Sequence, residues 1–268
     1  TLEFLTAVCS NVLLSWYKEL ISFIFLSKSL EISKYPKLTE VGAWRVDQED
    51  KHWDGRDETS PDEKGTYGGF YTQDQLKDLV AYAATKNVEI IPEIEIPAHV
   101  SSAIAAYPEL SCHERPIGVP SGGVWPITDI YCPGKEHTFE FLENVLVEVM
   151  DIFPSKYIHV GGDEATKTNW EKCADCKKRM RSEKLENVEE LQSYFIKRME
   201  RLINSKGKLL IGWDEILEGG LAPEATVMSW RGVAGGLEAA KQGHDVIMTP
   251  GSHCYFDHYQ GPQNEEPL

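Results

Sequence analysis

Between residues 72 and 249, short apolar segments alternate with longer stretches whose apolar residues recur at helical spacing. That alternation constrains the fold more than any other feature of the chain. Val88 to Pro97 (VEIIPEIEIP), Tyr157 to Val160, Lys208 to Trp213, Thr226 to Trp230 and Asp245 to Thr249 read as five strands. Between them, Thr72-x-x-Gln75 is a capping-box signature that opens a helix with Leu76, Leu79, Val80 and Ala83 on one face, and Asn87 closes it. Thr138 starts a second helix, apolar at Phe141, Leu142, Val145, Leu146, Val149 and Ile152 and stopped by Pro154. Asn187-x-x-Glu190 opens a third, apolar at Leu191, Tyr194, Phe195, Leu202 and Ile203 and closed by Gly207, and Leu237 to Gln242 is a short fourth. Strand–helix alternation predicts a parallel sheet with right-handed crossovers. Polar and aromatic residues follow the C-terminal end of each strand, which fits a (β/α)8 barrel better than a doubly wound nucleotide-binding sheet. Neither G-x-G-x-x-G nor G-x-x-x-x-G-K-S/T is present, so no nucleotide cofactor is expected.

The stretch Tyr157-Ile158-His159-Val160-Gly161-Gly162-Asp163-Glu164 is where chemistry is expected. Its first half is strand-like, and two glycines then allow a sharp turn and a close backbone approach. Two adjacent carboxylates follow at the strand's C-terminal end. Ionised together and partly buried, they repel, and the expected response is one depressed and one raised pKa, a charged role beside an acid role. The simpler alternative is a helix start, with Asp163 as N-cap and Glu164 in the first turn. Glu93 and Glu95 share one face of their strand, opposite Ile94 and Ile96.

Charge narrows the partners. Forty-three acidic residues against 27 basic ones give a net charge of -16, which argues against nucleic acid or an anionic membrane. Seven Trp and eleven Tyr supply aromatic surface suited to the apolar faces of sugars, although most aromatics in any protein are core. Trp213 and Trp230 each end a strand, where two indoles can wall a sugar ring or pack beneath loops. Tyr255 and Asp257 stand two apart, on one side of an extended segment. His99, just past a strand, is either a satisfied core residue or a group that tunes a neighbouring acid.

Six Cys are too few for a disulfide-stapled scaffold of 268 residues. Cys173-x-x-Cys176 has no second pair at zinc-ribbon spacing, so a structural pair, thiol or disulfide, is expected rather than a metal site. No H-E-x-x-H or H-x-H supports a metal-dependent hydrolase. Residues 47–69 and 106–134 read as loops. Residues 1–30 read as an amphipathic helix or irregular structure; the apolar run from Leu20 to Leu26 is far shorter than the roughly 20 residues of a spanning helix. The Thr start suggests a fragment.

Several segments together resemble glycoside hydrolase family 20, above all its bacterial β-N-acetylhexosaminidases. They are YPKLTEVGAWR (35–45), YGGFYTQDQL (67–76), IPEIEIPAH (91–99), HVGGDE (159–164), LLIGWDEILEGGLAP (209–223), ATVMSWRG (225–232) and YFDHYQ (255–260). The resemblance covers roughly residues 31–262, in order, leaving 1–30 as an atypical segment and 31–268 as a partial catalytic barrel.

The resemblance implies an exo-acting, retaining hydrolase without an enzymatic nucleophile, one of the substrate-assisted exceptions to the two-carboxylate scheme. The substrate's 2-acetamido oxygen would attack the anomeric carbon. Glu164 would act as general acid, then base; Asp163 would orient the acetamido N–H and stabilise the developing positive charge. Trp213 and Trp230 would wall the acetamido pocket, Tyr255 would donate to its oxygen, Asp257 would bind ring hydroxyls, and His99 would support Glu164 from behind. An N-acetylhexosamine-terminated glycan is the expected partner, with no cofactor, and a periplasmic or exported location is expected by likeness. The family's first two strands, with a sugar-gripping Arg, and its last strand are not recognisable, and Ala98 stands where Gly is usual. Those departures leave open a non-catalytic sugar-binding paralogue or a truncated product.

Overall fold

A computed structural model describes residues 20–25, 30–52, 55–123, 125–255 and 262. In chain order the elements are β1 (Leu20–Phe25), α1 (Lys37–Glu40), β2 (Trp44–Arg45), β3 (Tyr67–Gly68), α2 (Gln73–Thr85), β4 (Val88–Glu93), α3 (Ser101–Ala106), α4 (Glu136–Ile152), β5 (Tyr157–His159), α5 (Thr168–Lys172), α6 (Ala174–Glu183), α7 (Val188–Ser205), β6 (Leu209–Trp213), β7 (Thr226–Ser229), α8 (Ala234–Lys241), β8 (Val246–Met248) and α9 (Gly251–Cys254). Six strands form one sheet in the order β1-β4-β5-β6-β7-β8. Every neighbouring pair is parallel. The short antiparallel β2–β3 pair forms a separate sheet.

The five expected strands are all present. The sixth corrects the reading of the N-terminal segment: Leu20–Phe25 is a strand, not a helix, and it pairs along its whole length with β4, from Leu20↔Val88 to Phe25↔Glu93. A short apolar run carries no periodicity that separates strand from helix. Between β5 and α7, where no helix was read from the sequence, the chain forms two short helices, α5 and α6. Trp170 and Cys176, both fully buried, anchor that polar stretch.

The helix signals read from the sequence act as anticipated. Thr72 accepts from the Gln75 N–H while the Gln75 side chain returns to the Thr72 N–H. The Asn187 side chain accepts from the Glu190 N–H. Gly207, at φ +74, closes α7 in the left-handed region.

Side-chain alternation sorts the sheet into two layers. On the helix-covered side, Ile90, Ile158, Leu210 and Val227 join the main core with Leu142, Leu146, Phe195 and Trp170. Each such side chain, fully buried, contributes about 1.5–3 kcal/mol of transfer free energy. On the opposite side, Ile91, Ile211, Trp213 and Met228 form a second small cluster with Tyr157 and Trp230 against it. That inner layer is where the functional groups gather.

Candidate active site

The site is built where β4 and β5 end. After His159 the chain enters the left-handed region at Gly161 (φ +66) and Gly162 (φ +109), and Glu164 holds φ +54. The first glycine is required by space as well as by φ, because a Cβ there would lie 1.9 Å from Glu95 Oε2. The segment is irregular until α5 begins at Thr168. Asp163 and Glu164 therefore open no helix, which removes the N-cap alternative.

His99, itself at φ +56, closes onto the acid pair. Its Nε2 lies 3.0 Å from Glu164 Oε2 and 3.2 Å from Asp163 Oδ2. Expected behind Glu164, it touches both acids directly. Burial raises the Glu164 pKa; His99 opposes this and the Asp163 charge reinforces it. Burial lowers that of His99, but hydrogen bonding to Asp163 and the charges of Asp163 and Glu164 outweigh it, and the net shift is upward. The net shift of the Glu164 pKa is upward, and its side chain stays partly open to solvent.

Beneath them sits a buried polar layer that the sequence showed only as an alternating pattern. Glu93 and Glu95 are 0% and 3% exposed. Glu93 Oε1 accepts from Trp213 Nε1 at 2.9 Å and lies 2.9 Å from His159 Nδ1. Burial, then repulsion from Asp163 and Glu93, pushes the Glu95 pKa well above its ordinary range. Glu95 Oε2 and Asp163 Oδ1 are both buried acceptors with no donor, and both face the space above Gly161. A proton retained on Glu95 reconciles the two, letting Glu95 donate to Asp163. Asp163 is then held on one oxygen by His99 and on the other by Glu95.

The aromatic residues form the adjoining wall. Trp213 is buried, with its ring 4.8 Å from that of His159, so it is a floor to the site rather than a freely exposed wall. Trp230 is half-buried; its Nε1 donates to Glu215 Oε2 at 3.0 Å, and its ring stacks on Tyr255 with centroids 6.3 Å apart. Burial raises the Glu215 pKa to about 7 against the opposing Trp230 bond and Arg231 charge. Trp230 packs against the cluster containing Trp213, which joins the strand-end aromatics into one surface. Asp257 lies outside the described residues. Glu93, Glu95, His159 and the exposed Trp125, whose ring is 6.4 Å from that of His99, were not among the expected site residues. The alternation IPEIEIP, which puts two acids on a strand face turned into a core, was the available signal for the first two.

The catalytic-domain profile of glycosyl hydrolase family 20 matches residues 27–268. The chain belongs to glycoside hydrolase family 20. It is 50% identical over 242 residues to the beta-hexosaminidase of Porphyromonas gingivalis, covering 89% of this chain and 29% of that protein. Its fold superposes on the beta-N-acetylhexosaminidase of Bacteroides fragilis with a TM-score of 0.76 at 30% identity, over 92% of this chain and 47% of that one. A mutant Streptomyces plicatus beta-hexosaminidase in complex with product GlcNAc matches with a TM-score of 0.72 at 26% identity, over 94% of this chain and 45% of that one. This family 20 chain therefore spans less than half the length of each of these three relatives.

The same region offers three ligand atoms, from His99, Asp163 and Glu164, within 4.8 Å of one another. All three are partly open to solvent, and the histidine already spans the two carboxylates, so their mutual contacts account for the cluster. A second group is gathered as closely, and it alters the reading of the cysteines. Cys173 and Cys176 are not a pair alone: Cys112 and Cys132 join them. No described helix is long and apolar enough to cross a membrane.

Proposed function

We propose that the protein containing this chain is a retaining β-N-acetylhexosaminidase, acting on terminal N-acetylhexosamine by substrate-assisted catalysis, and that these six strands are part of an eight-stranded barrel. The observation that carries the reading is the convergence of Asp163, Glu164 and His99 on one point, instead of two carboxylates opposed across a bond. In the first step Glu164 gives its proton to the glycosidic oxygen as the C1–O bond breaks, and the substrate's acetamido oxygen closes on C1. Asp163, held by His99 and Glu95, faces the acetamido N–H and stabilises the positive charge that develops on the ring-closed intermediate. In the second step Glu164, now a carboxylate, takes a proton from the water that attacks C1, and the acetamido group is restored. Trp213 and Trp230 bound the acetamido group, Tyr255 donates to its oxygen, and Asp257 takes ring hydroxyls.

The raised pKa of Glu164 supports an acid role, because a general acid must still hold its proton at the working pH. The test is to follow hydrolysis of p-nitrophenyl N-acetyl-β-glucosaminide by proton NMR. The reading expects the β-anomer of the sugar as the first-formed product. The α-anomer formed first, or binding without turnover, overturns it.

A further inference from the structure

Four thiols from two segments distant in sequence meet in the outer wall of the domain. Ser111 and Tyr131 form an isolated antiparallel bridge, with the Cys132 N–H donating to the Leu110 carbonyl at 2.8 Å. Cys112 and Cys132 flank that bridge, so a sequence gap of twenty residues closes to side-chain contact. Cys173 caps the start of α6, and Cys176 lies in its first turn. The loop is pressed onto that turn: a Cβ on Gly134 would come within 2.4 Å of Cys176 N. The Sγ atoms of Cys112 and Cys176 are 3.7 Å apart, those of Cys132 and Cys173 3.8 Å, and those of Cys132 and Cys176 3.5 Å. All four lie within 4.8 Å of one another.

These distances discriminate between the chemistries open to four cysteines. A disulfide holds its sulfurs about 2.05 Å apart and pairs them exclusively. Here Cys132 lies within 3.8 Å of two partners and Cys176 within 3.7 Å of two, so no exclusive pair stands out. Four thiolates around one tetrahedral zinc, with bonds of about 2.3 Å, have sulfur–sulfur edges of about 3.8 Å. The gaps are too short to enclose a multi-iron cluster. Cys132 and Cys176 are fully buried and the other two are partly so. The nearby Lys135 ammonium is committed to the Glu109 and Ser111 carbonyls and to Glu114, so it does not serve as the counter-charge for the sulfurs. All four sulfurs converge on one point, with no vertex left for water or substrate, which marks a structural rather than a catalytic centre.

We propose that Cys112, Cys132, Cys173 and Cys176 bind one structural zinc ion that staples the segment between β4 and α4 to the helices following β5. These are the two segments that carry His99 and the Asp163–Glu164 pair. Hydrogen bonds run alongside the staple, from Thr166 N to Ile127 O at 3.0 Å, from Asn169 Nδ2 to Thr128 O at 2.9 Å and from Trp170 Nε1 to Tyr131 O at 2.9 Å. The ion does not enter the hydrolytic step, so this inference stands or falls independently of the activity.

The test is metal analysis of the protein purified under reducing conditions from zinc-supplemented medium, with intact mass measured in parallel on a sample prepared without reductant. One zinc per chain is expected. Replacing zinc by cobalt should give thiolate charge-transfer bands and intense tetrahedral ligand-field bands in the unmodified chain, a readout that needs no variant to fold. Cys176→Ser should abolish stoichiometric zinc and lower the melting temperature, whereas Cys254→Ser should keep both. A chain lighter by four hydrogens, indicating two disulfides, would overturn the proposal. So would alkylation of all four of these thiols in a folded chain without metal, or stoichiometric iron in place of zinc.

Discussion

Two clusters of potential ligands each draw their ligand atoms within 4.8 Å of one another, and they differ in kind. At His99, Asp163 and Glu164 the groups are chemically unlike, partly open to solvent, and two of the three sit at positive φ. At Cys112, Cys132, Cys173 and Cys176 the groups are identical, two are fully buried, and Cys173 is held at a helix start with Cys176 in the turn that follows. On the proposed readings, the first arrangement leaves a proton and an approach path available, and the second closes a shell around an ion. The comparison teaches that proximity alone does not define a site. What separates a reactive centre from a structural one is whether the donors are satisfied by one another and whether a face remains open.

The largest effect that sharpens this contrast is expected at Glu164. Glu164→Gln removes the transferable proton and should cost about 10²- to 10⁴-fold in kcat while leaving the melting temperature nearly unchanged. Nitrophenol release and calorimetry on the same preparation check both halves. A loss of folding in step with activity would erase the distinction between the two clusters.

Gly161→Ala tests the strained turn beneath the acids. Its Cβ would meet Glu95 Oε2 at 1.9 Å in a backbone conformation with φ +66. A loss of stability of about 1–3 kcal/mol is expected from the strain, with activity falling as well. Gly207→Ala, at φ +74 with nothing within 4 Å of its Cβ, should cost less stability and no activity. Denaturant midpoints and rates for the two variants decide it.

Glu215 should make stability depend on pH in a predictable direction. Its pKa rises from 4.5 to about 7 on folding, so the folded chain holds a proton that the unfolded chain has released. Its favourable contribution is fully present below 4.5 and is lost as pH rises through about 7. The difference amounts to about 3 kcal/mol at most. Glu215→Gln should flatten that part of the stability–pH curve, measured by urea midpoints across the window. An unchanged slope would refute the assignment.

The smallest effect is expected at His99. It lowers the Glu164 pKa against burial, so His99→Gln should move the alkaline limb of the kcat/KM profile to higher pH. A limb that stays in place would show that His99 only fills space.

Much of this was legible in the sequence, for physical reasons that also explain the gaps. The capping residues Thr72 and Asn187 and the closing Gly207 act locally, and local signals survive intact into the fold. HVGGDE carried part of its geometry, since the two glycines permit the positive-φ turn that sets the acids at the strand's end. By contrast, the run LISFIF is too short for its periodicity to separate strand from helix, and only pairing with Val88–Glu93 decides the matter. The buried carboxyl layer of Glu93 and Glu95 was visible as a pattern, but its proton sharing with Asp163 depends on a close approach at Gly161 that no sequence spacing encodes. The cysteine cluster was hidden for a related reason. Cys112 and Cys132 become neighbours only through the Ser111–Tyr131 bridge, so a search for a second C-x-x-C pair could not find them.

The claim on which the account depends is that the substrate's own amide displaces the leaving group beside Asp163 and Glu164. It is tested most directly with p-nitrophenyl β-glucosaminides whose 2-acetamido methyl carries zero to three fluorines. Each fluorine withdraws electrons from the attacking carbonyl oxygen and barely changes its size. The account predicts a rate that falls steeply with every fluorine added. A rate independent of fluorination would contradict it, because the nucleophile would then have to come from the protein or from water.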